Sequence, residues 1–261
     1  MAHSPQFFDY SFNKSAFAEA SARQGRYFMD WALFNIDGVM FLLRWVHFIF
    51  GVIWIGMLYY FNYVQGEFFK EIDAGVKNVV ITKLVPRALW WFRWGAMITF
   101  LSGWLIITGT LHSGVPLTSS WGLLILLGAT LGSLMWFNVW FVIWPAQKVV
   151  IASANKVLAG GQADPSAAAR GARALVASRT NVLFSFPMLF FMGAARHLIL
   201  SRDFSTVNFG LVAIVFGVIF LALELNALKG KLGPLTTIKG VIHSGVVLTA
   251  ALYVIVELVT R

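Results

Sequence analysis

An all-α, polytopic membrane bundle of about six transmembrane helices is the fold this sequence predicts, and three observations predict it. Hydrophobic residues make up 59% of the chain and charged residues only 12%, outside the usual balance of soluble domains. Six apolar runs stand along the chain, each compatible with the roughly 20 helical residues that a hydrocarbon core of about 30 Å requires. The runs also lack the polar face that a soluble helix must show somewhere.

The runs cover residues 39–63, 91–111, 121–144, 182–200, 207–226 and 238–258. Between the first and second lie Lys70, Lys77, Lys83, Arg87 and Arg93. Between the third and fourth lie Lys148, Lys156, Arg170, Arg173 and Arg179, and between the fifth and sixth Lys229, Lys231 and Lys239. The positive-inside rule makes these three connections cytoplasmic and turns both termini outward. The third-to-fourth connection carries Asp164-Pro165 before an alanine-rich stretch, which predicts a short cytoplasmic helix whose Arg170 and Arg173 meet anionic headgroups. Tryptophans 90, 91, 94 and 144 fall at inner interfaces, where such rings anchor a helix. Gly128-x-x-x-Gly132 in the third run is a helix-packing signal.

Residues 1–37 form a separate N-terminal segment, followed by a transmembrane helical domain over 38–261. The segment has no compact apolar core with a cleavage site, so it is expected to stay attached. Its aromatics, among them Phe7, Phe12, Phe17 and Trp31, suit either the membrane interface or contact with a partner subunit. The formal charge of +9 does not indicate nucleic acid, because the basic residues sit between apolar runs rather than along one polar face. Cysteine is absent, which excludes disulfides, thiolate metal sites and covalent c-type haem within these residues. No nucleotide loop, HExxH, GxSxG or carboxylate metal cluster appears, so no catalytic residue is assigned.

The chemistry therefore falls to intramembrane polar groups, foremost His47. An ionisable side chain at that depth is costly to keep and marks a functional candidate. On its helical face lie Arg44 one turn before, Gly51 one turn after and Trp54 two turns after. An imidazole to ligate iron, a glycine to admit a macrocycle and a guanidinium for its carboxylates together suit haem. A lone intramembrane histidine can equally hydrogen-bond a neighbouring helix, and that role stays open. His112 and His197 end the second and fourth runs on the same outward side, with Gly193 and Arg196 close to His197. His47 with His197 or His112 is the expected ligand set for a b-type haem, with Arg44 and Arg196 at its propionates. Among the remaining polar groups, Glu224 could shuttle protons, but a carboxylate one turn from the interface more often pairs with a nearby cation, here Lys229 or Lys231.

Four stretches carry a family resemblance. They are LRWVHFIFGVIWIG over 43–56, WFRW over 91–94 followed by LSG over 101–103, residues 128–147 ending in FNVWFVIWPAQ, and SRTN over 178–181 running through Pro187 to Met192 with a histidine after it. In this order they resemble the membrane domain of the bacterial membrane-bound urate oxidase (urate hydroxylase) family. The resemblance implies an oxidoreductase of the bacterial inner membrane. Full-length family members continue into a cytochrome c domain, which is not expected here, so a separate cytochrome or respiratory complex is implied as electron acceptor. The family pattern has an acidic residue where Gly95 stands and an Asn-His pair where Arg196-His197 stands, which puts the urate chemistry in question. Two readings follow: a b-haem oxidoreductase or electron-transfer subunit, or a non-catalytic scaffold within a larger respiratory complex.

Overall fold

The computed structural model describes residues 31–261, which contain helices and no strand. Residues 31–45 belong to one compact unit and 46–261 to a second. In the first, a 3-10 turn over Ala32–Phe34 leads into a helix through Asn35, whose Oδ1 accepts the Gly38 N–H at 2.9 Å. The predicted N-terminal segment falls almost wholly outside the described residues.

Among the described residues six helices are long and apolar enough to cross a membrane: α1 (Ile36–Glu71), α3 (Val85–His112), α4 (Ser120–Leu158), α5 (Ala167–His197), α6 (Phe209–Lys229) and α7 (Ile238–Val259). A shorter helix, α2 (Ala74–Lys83), follows α1, with Asp73 Oδ1 capping the Val76 N–H at 3.0 Å. The six apolar runs thus become six helices in the predicted order. Their ends differ, because hydropathy locates the lipid-compatible portion while the helix continues into solvated residues. The short helix expected after Asp164-Pro165 is the opening of α5, since the alanine and arginine that follow favour helix strongly enough to carry it through Gly171. Asp164 does not cap it directly; its Oδ1 accepts from Ser166 N–H and Oγ, both at 2.7 Å. Arg173 reaches the end of α6, donating to Ala227 O at 3.2 Å and Gly230 O at 3.3 Å, so it serves as a C-terminal cap rather than a headgroup contact.

Helix α5 is the centre of the second unit. In its most apolar window 67% of residues are buried, and it packs against α4 along most of its length and against α6 and α7. The small-residue signal in α4 lies on this contact: a Cβ at Gly128 would meet Met192 N at 3.1 Å and Met188 O at 3.3 Å. On the α7 side, a Cβ at Gly245 would stand 2.5 Å from Phe186 Cδ2. Phe184, Phe191, Leu124, Leu131, Met135 and Leu252 fill the core between these helices.

Helix α3 meets α1 through another glycine, Gly95, where a Cβ would meet Trp54 N at 3.1 Å and Trp54 Cα at 3.3 Å. That approach leaves no space for the acidic residue of the family pattern. Of the tryptophans expected only as anchors, Trp144 does more, because the Arg93 guanidinium lies 3.5 Å from its ring centroid.

Helices α1 and α4 each contain one π-helical segment, Tyr60–Gln65 and Asn138–Ile143. A π turn inserts a residue into the helix and loosens backbone pairing locally. Both segments face α5.

Candidate functional site

His47 projects from α1 onto α3. Its Nδ1 lies 3.2 Å from Ser102 Oγ, and Ser102 is buried. The hydroxyl hydrogen of Ser102 is committed to Ile98 O at 2.6 Å, which leaves Oγ as acceptor and makes His47 Nδ1–H the donor. That assigns the Nδ1–H tautomer and leaves Nε2 with a free lone pair. Gly103 makes the fit, since a Cβ there would meet His47 Cε1 at 2.9 Å. Gly51 lies over the same helix, its Cβ position 3.8 Å from Thr99 Cγ2, so its bare face serves the α1–α3 contact.

The other residues selected from sequence do not gather around this ring. His112 is exposed at the end of α3, ten residues past Ser102, about 15 Å along the axis at about 1.5 Å per residue. His197 is exposed at the end of α5 with Arg196 beside it, also exposed. Its height follows from contacts: Trp104 Nε1 donates to Ser133 Oγ at 3.3 Å, and the neighbouring Gly132 faces Met188, nine residues before His197. His197 is thus about 13 Å beyond the level of His47. Nitrogens that share one metal lie about 2 Å from it, hence about 4 Å apart across it. In this register His47 is offered to a metal without His112 or His197. Arg44 is exposed within the first unit. No group of three or more His, Cys, Asp or Glu side chains collects to hold a metal among the described residues. The donor chemistry at His47, a satisfied Nδ1–H and an open Nε2, is that of an imidazole able to ligate a metal.

A second polar centre lies on α5 and was mostly missed from sequence. Asn181, fully buried, donates from Nδ2 to Met135 O at 2.9 Å, and its Oδ1 accepts from Asn138 Nδ2 at 3.0 Å. The same Asn138 nitrogen donates to Glu224 Oε2 at 3.1 Å. Glu224 is 5% exposed and makes no ion pair, which corrects the expected link to Lys229 or Lys231. Among the described residues only Lys70–Glu67 and Arg202–Glu257 pair.

Towards the first π segment, Asn62 Nδ2 donates to Leu58 O and to Ser178 Oγ, each at 2.8 Å. Arg179 Nη2 donates to Asn62 O at 3.3 Å, and Tyr59 OH meets Ser185 Oγ at 2.9 Å. Several buried atoms remain without a partner, among them Arg179 Nη1, Tyr63 OH, Asn138 Oδ1 and Glu224 Oε1. The sequence did carry one signal: Ser178, Asn181 and Ser185 recur at helical spacing across the start of the fourth apolar run.

Residues 111–222 match the family model described as urate oxidase N-terminal. No curated protein and no solved structure matches the chain. The matched segment takes in α4, α5 and most of α6, and therefore Asn138, Arg179 and Asn181, while His47 and Glu224 lie outside it. Over that segment the chain is related to the urate oxidase N-terminal family.

Proposed function

We propose that this chain is the membrane-embedded part of a urate-oxidase-like oxidoreductase of the bacterial inner membrane, holding a b-type haem through His47. The haem would supply one-electron transfer between a donor and a separate cytochrome or respiratory complex. The observation that carries the reading is the state of the His47 ring. Ser102 Oγ accepts the hydrogen bond from Nδ1–H and so leaves Nε2 with its lone pair, the arrangement in which metal-ligating histidines are held. Gly103 leaves room for the ring to lie against α3. With His112 and His197 standing at the helix ends, His47 is the residue among those described that would hold the group. The family match over 111–222 supports the oxidoreductase class.

The test is the visible spectrum of protein purified from native-like membranes, reduced against oxidised. A reducible Soret and α band that is lost in His47→Ala is the expected result. A pigmented protein whose spectrum is indifferent to His47→Ala overturns the ligand assignment. A colourless protein that co-purifies with respiratory subunits favours the scaffold reading.

A further inference from the structure

We propose that Glu224 is a proton-exchange site inside the bundle, held as the neutral acid with its hydroxyl donating to Asn138 Oδ1.

A count of donors carries the inference. Asn138 gives its side-chain hydrogens to Asn181 Oδ1 and Glu224 Oε2, and Asn181 donates to Met135 O. Two acceptors then remain with no donor, Asn138 Oδ1 and Glu224 Oε1. They belong to side chains already joined to each other, and both are sealed from solvent with no room for a water beside them. Two acceptors facing an apolar interior are a standing cost unless something donates between them. A water or metal cation needs space and several further oxygens. A proton needs neither: on Oε1 it turns the carboxyl into the missing donor.

The charges nearby agree. On α5, Arg179 is turned to Asn62 O and Arg173 to Ala227 O and Gly230 O at the end of α6, and neither meets a carboxylate within ion-pair distance. On α4 the nearest cation is Lys148, on α6 it is Lys229, and on α7 it is Lys239; all three are exposed, as is His243 on α7. A carboxylate here would have one hydrogen bond and no counter-charge. An access route is short, because Glu224 stands five residues before Lys229, about 7.5 Å from the solvated end of α6. Three residues before that end Asn226 reaches over the following turn, its Nδ2 donating to Lys231 O at 3.2 Å.

The experiment is infrared spectroscopy of the full chain in lipid nanodiscs at neutral pH, in H2O and D2O. The expected result is a carboxylic C=O band that shifts on deuteration and disappears in Glu224→Gln, whose amide can still donate to Asn138. Should that variant fail to fold, Glu224→Asp is expected to move the same band. Carboxylate bands alone, a sodium-dependent carboxylate band, or a carboxylic band unchanged in both variants overturns the proposal. The measurement needs no haem and no turnover, so its outcome is independent of the His47 reading.

Discussion

Replacing Asn138 by leucine removes one amide from the centre of the α4–α5–α6 contact without leaving a large cavity. Two hydrogen bonds are lost, to Asn181 Oδ1 and to Glu224 Oε2. Between membrane helices such bonds average about 0.6 kcal/mol each, so together they account for about 1 kcal/mol. The larger part is what remains behind: two buried acceptors with no donor, each costing roughly 1 kcal/mol at the low end of the range. Their sum is about 3 kcal/mol, or roughly a hundredfold in the unfolding equilibrium. Reversible unfolding of the purified chain in mixed detergent micelles measures it, with Asn181→Leu and the double variant completing a cycle. Coupling of about 1 kcal/mol between the two asparagines is expected, because they share a bond and a partner. A loss under about 0.5 kcal/mol for Asn138→Leu, with no coupling, would refute the reasoning that polar satisfaction holds this junction.

Three further outcomes are expected. Gly245→Ala sets a Cβ 2.5 Å from the Phe186 ring and should destabilise the α5–α7 contact by about 1–3 kcal/mol, with recovery in the Gly245→Ala/Phe186→Leu double variant by thermal unfolding. Ser102→Ala removes the acceptor that holds His47, so nitrogen NMR of labelled histidine should show the Nδ1–H tautomer giving way to a mixture. The Ser166 hydroxyl, and then its backbone N–H, hold the Asp164 carboxyl below the usual carboxylate range. A depressed carboxyl contributes stability above its ordinary range and loses it as pH falls through the folded value, so Ser166→Ala should raise the Asp164 titration seen by carbon NMR.

The fold was legible because bilayer thickness imposes a length that composition alone reveals. Each of the six runs became a helix. What hydropathy could not locate was where helices stop, as α5 shows: ten of its first fifteen residues are alanine, arginine or serine, a composition that a transfer scale reads as outside and a helix accepts readily. The site was legible in part. His47 stood out because an imidazole is expensive in an apolar run, and its tautomer was invisible because it depends on Ser102, fifty-five residues away. The equal footing given to His112 and His197 came from shared sidedness, which sequence supplies, whereas ligation depends on depth to within a few ångströms, which it does not.

The polar centre on α5 and the two π segments are best understood as one arrangement. Side chains such as Asn62, Asn138 and Asn181 can be held in an apolar bundle only if each finds a partner there, and α-helical backbones offer almost none, since their carbonyls are already paired. A π turn changes that supply. Leu58 O accepts from Asn62 just ahead of the first segment, Met135 O accepts from Asn181 just ahead of the second, and Asn62 O, within the first, accepts from Arg179. Close packing at Gly128 brings α4 near enough to α5 for the bonds across that contact to be short. The same sites still leave Arg179 Nη1, Tyr63 OH, Asn138 Oδ1 and Glu224 Oε1 unpartnered. A purely structural network has no use for such orphans, because apolar residues of the same volume would pack as well at lower cost. Asn138 and Arg179 lie on the segment matched by the urate oxidase N-terminal family and Glu224 two residues past its end, and these buried groups are the physical reason to look for chemistry there as well as at His47.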